Sequence, residues 1–579
     1  MKAKIQSMIK WCKKKKGFLF VLLCLIILTI LRVYMAMQIP LFAQAGADYD
    51  DFLMIKYADS ILTGNWLGPF GLRTLAKGVS FSLFIVITYL LHIPYSLALI
   101  LVYIGAILIF IQAIKKLIPN CCFLVCMYLV LLFSPVMLHV ENTQKIYRGG
   151  LIVACALLIV GAMIGLYTRR YEKRSTLVKW SLLAGISLSF FWFLKEDSIW
   201  ILPFVIGAML IIIIDICQHK PKIDKIRSKI IITILPVILL VFANLGYCLT
   251  NYLHYGVFTV TDRTGTYFTD MIHELLLIED EQDIKNVWIT KDMMYQAIEV
   301  SPTLQSIEEE IDDMYEHSWA LKDNGEIEGD LIYWSLKEAV DDAGIYDQGA
   351  VAVNEFYHQI TKELQTAFKE KRLKEEQAIF LSSVAKGLTE DAIDYYAKIT
   401  PAAIDTLVAY RENELSVYAA TGPREDIALM QRLTNSTVVW PDELTEMTKS
   451  TTGVISLANS LAGIYQTTGW CLFILGCVGF VLLTIRMIRS ITQKTYKEVS
   501  LWLITLGLFG TMLVLFIGVT WFCSFFDFTT LRYIYNYGCG LISLLQIFEI
   551  IGIYVVVQSI IMLWKNKRDR VVYKSNKIR

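Results

Sequence analysis

The chain has 579 residues, 55% of them hydrophobic, with a mean hydropathy of +0.52 and a formal net charge of +1. That balance excludes an ordinary soluble globular protein and a disordered chain, and it points to a membrane protein. The near-neutral total conceals a division: residues 251–453 carry 39 Asp/Glu against 16 Lys/Arg, which leaves 14 acids and 38 bases for the rest.

Apolar runs long enough to cross a bilayer occupy residues 17–39, 95–113, 121–138, 149–167, 177–194, 198–216, 230–250, 464–486, 500–523 and 538–563. Each is close to the ~20 residues needed for a ~30 Å hydrocarbon core. Lys13–Lys16 precede the first run, which continues past Arg32 to Ile39 without a small-residue cleavage site; it reads as an uncleaved signal anchor. A further stretch, 79–92, is short and ends at His92-Ile93-Pro94. Charge decides its status. If it crosses, the clusters 169–174 and 220–229 fall on the side opposite Lys13–Lys16. If it is re-entrant or lies along the surface, those clusters join Lys115-Lys116, 486–497 and 565–570 on one side, as basic loops on the cytoplasmic face require. The expected fold is therefore an all-α polytopic membrane protein of about ten transmembrane helices. It has a re-entrant or amphipathic first outer loop, both termini are cytoplasmic, and a large acidic domain is extracytoplasmic.

Three regions follow: a membrane module, 1–250, holding the first outer loop, 40–78; an acidic domain, 251–453; and C-terminal membrane helices with a basic tail, 454–579. The acidic domain is poor in β-branched alternation. Glu308–Met314, Asn354–Leu373 and Leu373–Leu388 have helical apolar spacing. All 12 cysteines lie outside it, mostly in apolar runs, where they serve as small apolar filler. Cys523 and Cys539 flank an outer loop and are the one pair placed to meet.

The first outer loop holds the densest chemistry. Asp48, Asp50 and Asp51 stand within four positions, followed by Asp59, Arg73 and Lys77. Carboxylates held this close repel and raise one another's pKa unless a cation, a substrate or a proton transfer uses them. Asp50 or Asp51 is the candidate general base; the structural alternative is a cap for a helix starting near Phe52. On the same expected face lie Glu141, Lys145 and Arg148, the short link Lys195-Glu196-Asp197, and Asp527. Lys77 and Arg148 are candidates for gripping a lipid phosphate, with interface anchoring as the alternative. Lys195, Glu196 and Asp197 either complete that polar site or pair with Arg148. There is no P-loop, GxGxxG or HExxH, which removes nucleotide-driven pumps and that metalloprotease class.

The loop ADYDDFLMIKYADSILTGNWLGP, its return to the membrane at TLAKG, the stretch KEDSIWILP, and the segment Asn354–Leu373 together resemble integral-membrane glycosyltransferases of the GT-C superfamily, in particular bacterial members of that group. The resemblance covers about residues 17–250 and parts of 340–375. It implies an inverting transferase that uses a polyprenyl-phosphate-linked sugar donor and a cell-surface glycan, lipid or protein acceptor, surrounded by membrane lipids and without nucleic acid. By this likeness the first-loop acid, Asp50 or Asp51, is the base. Lys77, then Arg148, meets the donor phosphate, and Asp48, Arg73, Lys145, Lys195, Glu196 and Asp197 line the substrate site. The chain departs from the family where Gly78-Val79-Ser80 follows Lys77 in place of a Pro-containing signature. No cofactor is assigned; Asp48-Tyr49-Asp50 has the DxD spacing of a divalent-cation site. The alternative class is a non-catalytic polysaccharide or lipid export partner or a cell-surface scaffold.

Overall fold

The computed structural model describes residues 2–218, 226–280, 282, 284, 286–380, 382–388, 390–443, 449–524 and 530–578, with the side chains of 2–16, 391–392, 443, 530 and 566–578 outside that description. Asp527 and most of the cluster 220–229 lie outside it as well, as do the side chains of Lys13–Lys16. The N-terminal helices are α1 (Lys2–Gln38), α2 (Asp51–Leu62), α3 (Ser80–Leu90), α4 (Tyr95–Ile114), α5 (Cys121–Leu132), α6 (Val140–Thr143), α7 (Gly149–Thr168), α8 (Arg174–Trp192), α9 (Leu202–Gln218) and α10 (Ile226–Tyr255). The acidic segment forms α11 (Tyr267–Leu276), α12 (Lys291–Val300), α13 (Pro302–Gln305), α14 (Glu308–His317), α15 (Leu331–Asp342), α16 (Ala350–Lys369), α17 (Glu390–Val408) and α18 (Arg424–Thr434). The chain ends in α19 (Lys449–Thr492), α20 (Val499–Cys523), α21 (Thr530–Tyr537) and α22 (Cys539–Ile578).

Nine helices among the described residues are long and apolar enough to cross a membrane, which makes this an all-helical polytopic membrane protein. About ten were expected. The difference is α8, whose Ser181, Ser187, Ser189 and Lys179 lower its hydropathy although it is 19 residues long. It nonetheless runs between the same two ends of the bundle as its neighbours. At one end Arg169 donates to the Gln112 carbonyl (2.6 Å), Arg170 pairs with Asp215 (2.5 Å), Arg174 meets Ser228 (3.2 Å), Arg486 pairs with Glu498 (2.6 Å) and Lys116 pairs with Glu172. At the other, Arg148 pairs with Glu196 (3.0 Å) and Tyr95 donates to the Tyr147 carbonyl (2.9 Å). Cationic side chains thus collect at one end and mixed charge at the other.

The stretch 79–92 becomes α3, 11 residues and roughly 16 Å, too short to cross. Both its ends stay at the mixed-charge level. The Ser80 amide donates to the Phe193 carbonyl (3.1 Å), and the Thr88 carbonyl accepts from Asn435 (3.3 Å). The turn into it is tight. A Cβ on Gly78 would lie 2.2 Å from the Phe193 carbonyl oxygen, so only glycine lets the loop press onto the end of α8.

The acidic segment divides in two. Residues 268–373 build their own core around Trp288, Ile289, Leu336 and Ile360, whereas Leu407, Tyr410, Met430 and Val438 pack into the core of the membrane body. Threonine caps start two helices of the first part: Thr266 accepts from the Thr269 amide and Thr290 from the Met293 amide. The expected helix at 373–388 does not form. The α16 helix stops at Lys369, Lys371 takes a positive φ of 60°, and extended backbone follows. The Lys374 carbonyl accepts from Glu279, and the Glu376 amide donates to Leu277, so pairing with 277–279 replaces the helix. Cys523 and Cys539 are both free and buried.

Replacing Gly78 by alanine forces the Phe193 end of α8 and the Lys77 loop apart. The expected cost is about 1–3 kcal/mol, read as a lowered melting temperature of the detergent-purified protein; an unchanged melt contradicts the tight-turn reading.

Candidate active site

Strand-like backbone pairing fixes the start of the first outer loop. The Phe42 amide donates to the Gln144 carbonyl (2.9 Å), the Ile146 amide to Phe42 (3.2 Å), and the Ala45 amide to Thr421 (2.7 Å). Three distant segments therefore arrive side by side, and residues 48–51 and 145–148 are brought to one place. Asp50 takes the N-cap position of α2, yet its side chain accepts nothing from the helix amides. It reaches instead to Lys77 at 2.6 Å and accepts from the Tyr147 hydroxyl at 3.3 Å. The local capping explanation for this acid therefore fails, and its carboxylate is committed across 27 residues of chain.

Asp51 turns the other way. It is fully buried, and Lys145 stands 3.5 Å from its Oδ1, but neither carboxyl oxygen has a hydrogen-bond partner. Lys145 also meets Glu141 at 3.4 Å, and Glu141 meets Arg532 at 2.5 Å. Arg148 holds both oxygens of Glu196 (3.1 and 3.0 Å) and the Leu194 carbonyl (3.2 Å) from one nitrogen, while its Nε has no partner. Lys195 pairs with Asp197 (2.7 Å) and lies 4.3 Å from the Tyr537 ring. Gathered into one cluster, then, are Asp50, Asp51, Lys77, Lys145, Arg148 and Glu196, with Lys195 and Asp197 at its edge.

Asp48 and Arg73 do not join. They pair with each other at 2.9 Å, Lys56 stands 3.9 Å from Asp48, and Arg73 lies over the Tyr49 ring. The two acids of the DxD spacing thus point to different cations, and among the described residues no three His, Cys, Asp or Glu side chains converge as a metal site. Asp59 pairs with Arg432 of α18 (3.0 Å) as part of the domain contact.

The environment sets these carboxyls apart. Burial pushes Asp51 up, Lys145 only partly offsets this, and Asp50 and Glu141 add repulsion; the result is about 7. Asp50 also loses hydration, but Lys77, Arg148 and Lys145 together hold it below the usual carboxylate range. Half its side-chain surface is nonetheless open. Burial works against charge on Glu196 as well; Arg148 and Lys77 overcome it and hold the acid at about 2. Two cavities lie elsewhere, one beside Arg32 and Met137, the other beneath the outer domain beside Leu75 and Tyr357.

Several participants were not singled out from the sequence. Tyr147 touches Asp50. On α21, Arg532 reaches Glu141 and Tyr537 covers Lys195; a run of Arg, Tyr533, Tyr535 and Tyr537 beside a membrane span is a usable signal for such a rim. The acidic domain leans on the loop through Tyr49, which donates to Glu338 and packs on Trp334 (4.5 Å between centroids). Lys337, buried, pairs with Asp262, whose amide donates to Leu75 (3.0 Å). Nothing local in the sequence marks these long-range pairs. No protein-family model, curated protein or solved structure matches the chain.

The pKa directions give a sign for stability. An unfolded Asp releases its proton near pH 4, and native Asp51 holds it to about 7. The native state therefore binds more protons between these values, and stability falls as pH rises from about 4 to 7, by at most about 4 kcal/mol. Asp50 and Glu196, depressed, act in the opposite sense and in a lower window: their contribution is complete above about pH 4 and is lost below it. Asp51→Asn is expected to remove the fall between pH 4 and 7. A melting-temperature difference from wild type that stays constant across that range contradicts the assignment.

Proposed function

We propose that the chain is a membrane glycosyltransferase that moves a sugar from a polyprenyl-phosphate donor to an acceptor hydroxyl. The observation that carries this reading is the accessible Asp50 carboxylate. It declines its helix-capping role and stands half-exposed 2.6 Å from Lys77, within the influence of the Arg148 charge. In this reading the mixed-charge end faces outward and the basic end the cytoplasm. Counting α8, the helices make ten crossings, with both termini inside and the acidic domain outside.

The cluster suits an anionic headgroup. Four carboxyls (Asp50, Asp51, Glu141 and Glu196) face four cations (Lys77, Lys145, Arg148 and Arg532). With Asp51 near half-protonation at neutral pH, the balance is positive. The donor phosphate draws Lys77 toward itself, with Arg148 behind it. Asp50 then takes the proton from the acceptor hydroxyl. The acceptor oxygen bonds to the anomeric carbon as the bond from that carbon to the phosphate oxygen breaks. The polyprenyl phosphate leaves with the electron pair, and Lys77 and Arg148 stabilise its charge. Asp51, buried behind, tunes Asp50 through charge repulsion and does not meet the acceptor.

Protein in lipid vesicles, supplied with radiolabelled polyprenyl-phosphate hexoses, tests this together with cell-surface glycan profiles. Asp50→Asn is expected to lower transfer by about 10²–10⁴-fold. Lys77→Ala is expected to lower it comparably, with Asp51→Asn milder. Full transfer and unaltered glycans in Asp50→Asn overturn the proposal.

A further inference from the structure

Away from the outer cluster, the membrane body contains polar atoms for which the protein supplies no partner. Glu549 lies ten residues past Cys539 on the membrane helix α22, about 15 Å along its axis and near the centre of a ~30 Å core. It is buried at the close crossing of α22 with α19, where a Cβ on Gly476 would come within 3.1 Å of the Glu549 Cα. Its Oε1 has no hydrogen-bond partner, and neither do both amide atoms of Gln546, one turn earlier on the same face. The Tyr410 hydroxyl faces the Gln546 amide and Glu549 but makes no hydrogen bond of full geometry to either. The groups from neighbouring elements that face Glu549 are Tyr410, Tyr465 and Cys477, none of them a cation. No ion pair involving Glu549 occurs among the described residues.

The unpartnered atoms continue toward the outer face. Asn413 Nδ2 is free, and its Oδ1 accepts from Tyr535 at 2.6 Å. The turn joining Tyr410 to Asn413 is held by Gln466, which donates to both carbonyls at 3.1 Å. The Tyr535 ring packs on His139 at 4.9 Å, and His139 Nδ1, buried, is unpartnered too. His139 neighbours Glu141, whose carboxylate belongs to the outer cluster. An isolated carboxylate in a dry membrane interior is costly enough that it takes up a proton instead. A row of buried polar atoms without protein partners is satisfied by ordered water.

We propose that Glu549 is an intramembrane proton-binding site that exchanges with the outer face through water held along Gln546, Tyr410, Asn413, Tyr535 and His139. A hydronium at the outer end gives up its proton and becomes water. The charge passes along the water chain, and an O–H bond forms on Glu549, which turns from carboxylate to neutral acid. Burial keeps the His139 imidazole neutral down to about pH 4, its Nε2–H is held by the Glu412 carbonyl at 3.1 Å, and its free Nδ1 accepts from a water of the chain without itself taking the charge. The ligand is the proton alone, and the site stands independently of the transfer reaction.

Infrared spectroscopy of the full chain in lipid nanodiscs tests this through the carboxylic-acid C=O stretch. A band lost in Glu549→Gln but retained in Asp51→Asn identifies the neutral Glu549. Its prompt shift on transfer to D2O reports water access. Asn413→Leu and Tyr410→Phe are expected to slow that shift by roughly five- to tenfold, the effect of one lost hydrogen-bonding station. If Glu549→Gln does not fold, Glu549→Asp is expected to move the same band. An unchanged spectrum in the Glu549 variant that folds, a band that resists D2O, or an unaltered exchange rate in both route variants overturns the proposal.

Discussion

The contact between Lys77 and Asp50 depends on how the first outer loop is closed. Lys77 is buried between the turn at Gly78 and the aromatic face of Trp334, 5.9 Å from that ring. Gly78 presses on the Phe193 carbonyl at the end of α8, and two residues beyond Phe193 the chain delivers Lys195 and Glu196. The same close approach therefore sets the position of the cation and of the acid that faces Arg148. Because Glu196 and Arg148 join the short link after α8 to the start of α7, a shift in one pair strains the other. Removing Arg148 leaves the mostly buried Glu196 carboxylate without its partner, so this pair fixes the link after α8 to the start of α7.

Much of the fold was legible because a bilayer imposes long apolar runs and segregates basic loops. The short α3, the gathering of basic side chains at one end and the convergence of three polar loops at the other all follow from hydropathy and charge order. Asp50, Asp51, Lys77, Lys145, Arg148 and Glu196 were visible as charges beside apolar runs. Their partners were not, since an ion pair such as Arg532 with Glu141 spans hundreds of residues and leaves no periodic trace. Asp48 shows the limit in miniature. DxD spacing places two acids two residues apart, but the nearest cation decides where each side chain points, and Arg73 takes Asp48 away. Residues 373–388 fail for a related reason. Their apolar spacing fits a helix, but the backbone of 277–279 offers extended pairing that local periodicity does not register.

The acidic domain is more than a solvated cap. Its own core spans 268–373 and takes in Trp521 of α20, while 403–438 is built into the membrane body. The second part supplies Thr421, which fixes the start of the catalytic-loop candidate, and also Tyr410, which faces Glu549. The first part supplies Glu338 and Trp334 against Tyr49, immediately before Asp50. Any rotation of this domain is therefore felt at the first outer loop within one residue of the accessible carboxylate.

In the proposed reaction, the charge arrangement answers a difficulty raised by the depressed Asp50. An acid held low by Lys77 is a poor base while that contact lasts. A phosphate arriving beside Lys77 competes for the ammonium, and each increment of Lys77 charge committed to phosphate is withdrawn from Asp50. The basicity of the carboxylate rises as donor binds, before any acceptor proton is transferred. Asp51 pushes in the same direction, because loss of its proton near pH 7 adds a negative charge next to Asp50. The resting ion pair thus keeps the base inactive toward water, and the donor's own charge is what releases it. This couples activation of the acceptor to occupancy of the donor site without a moving lid.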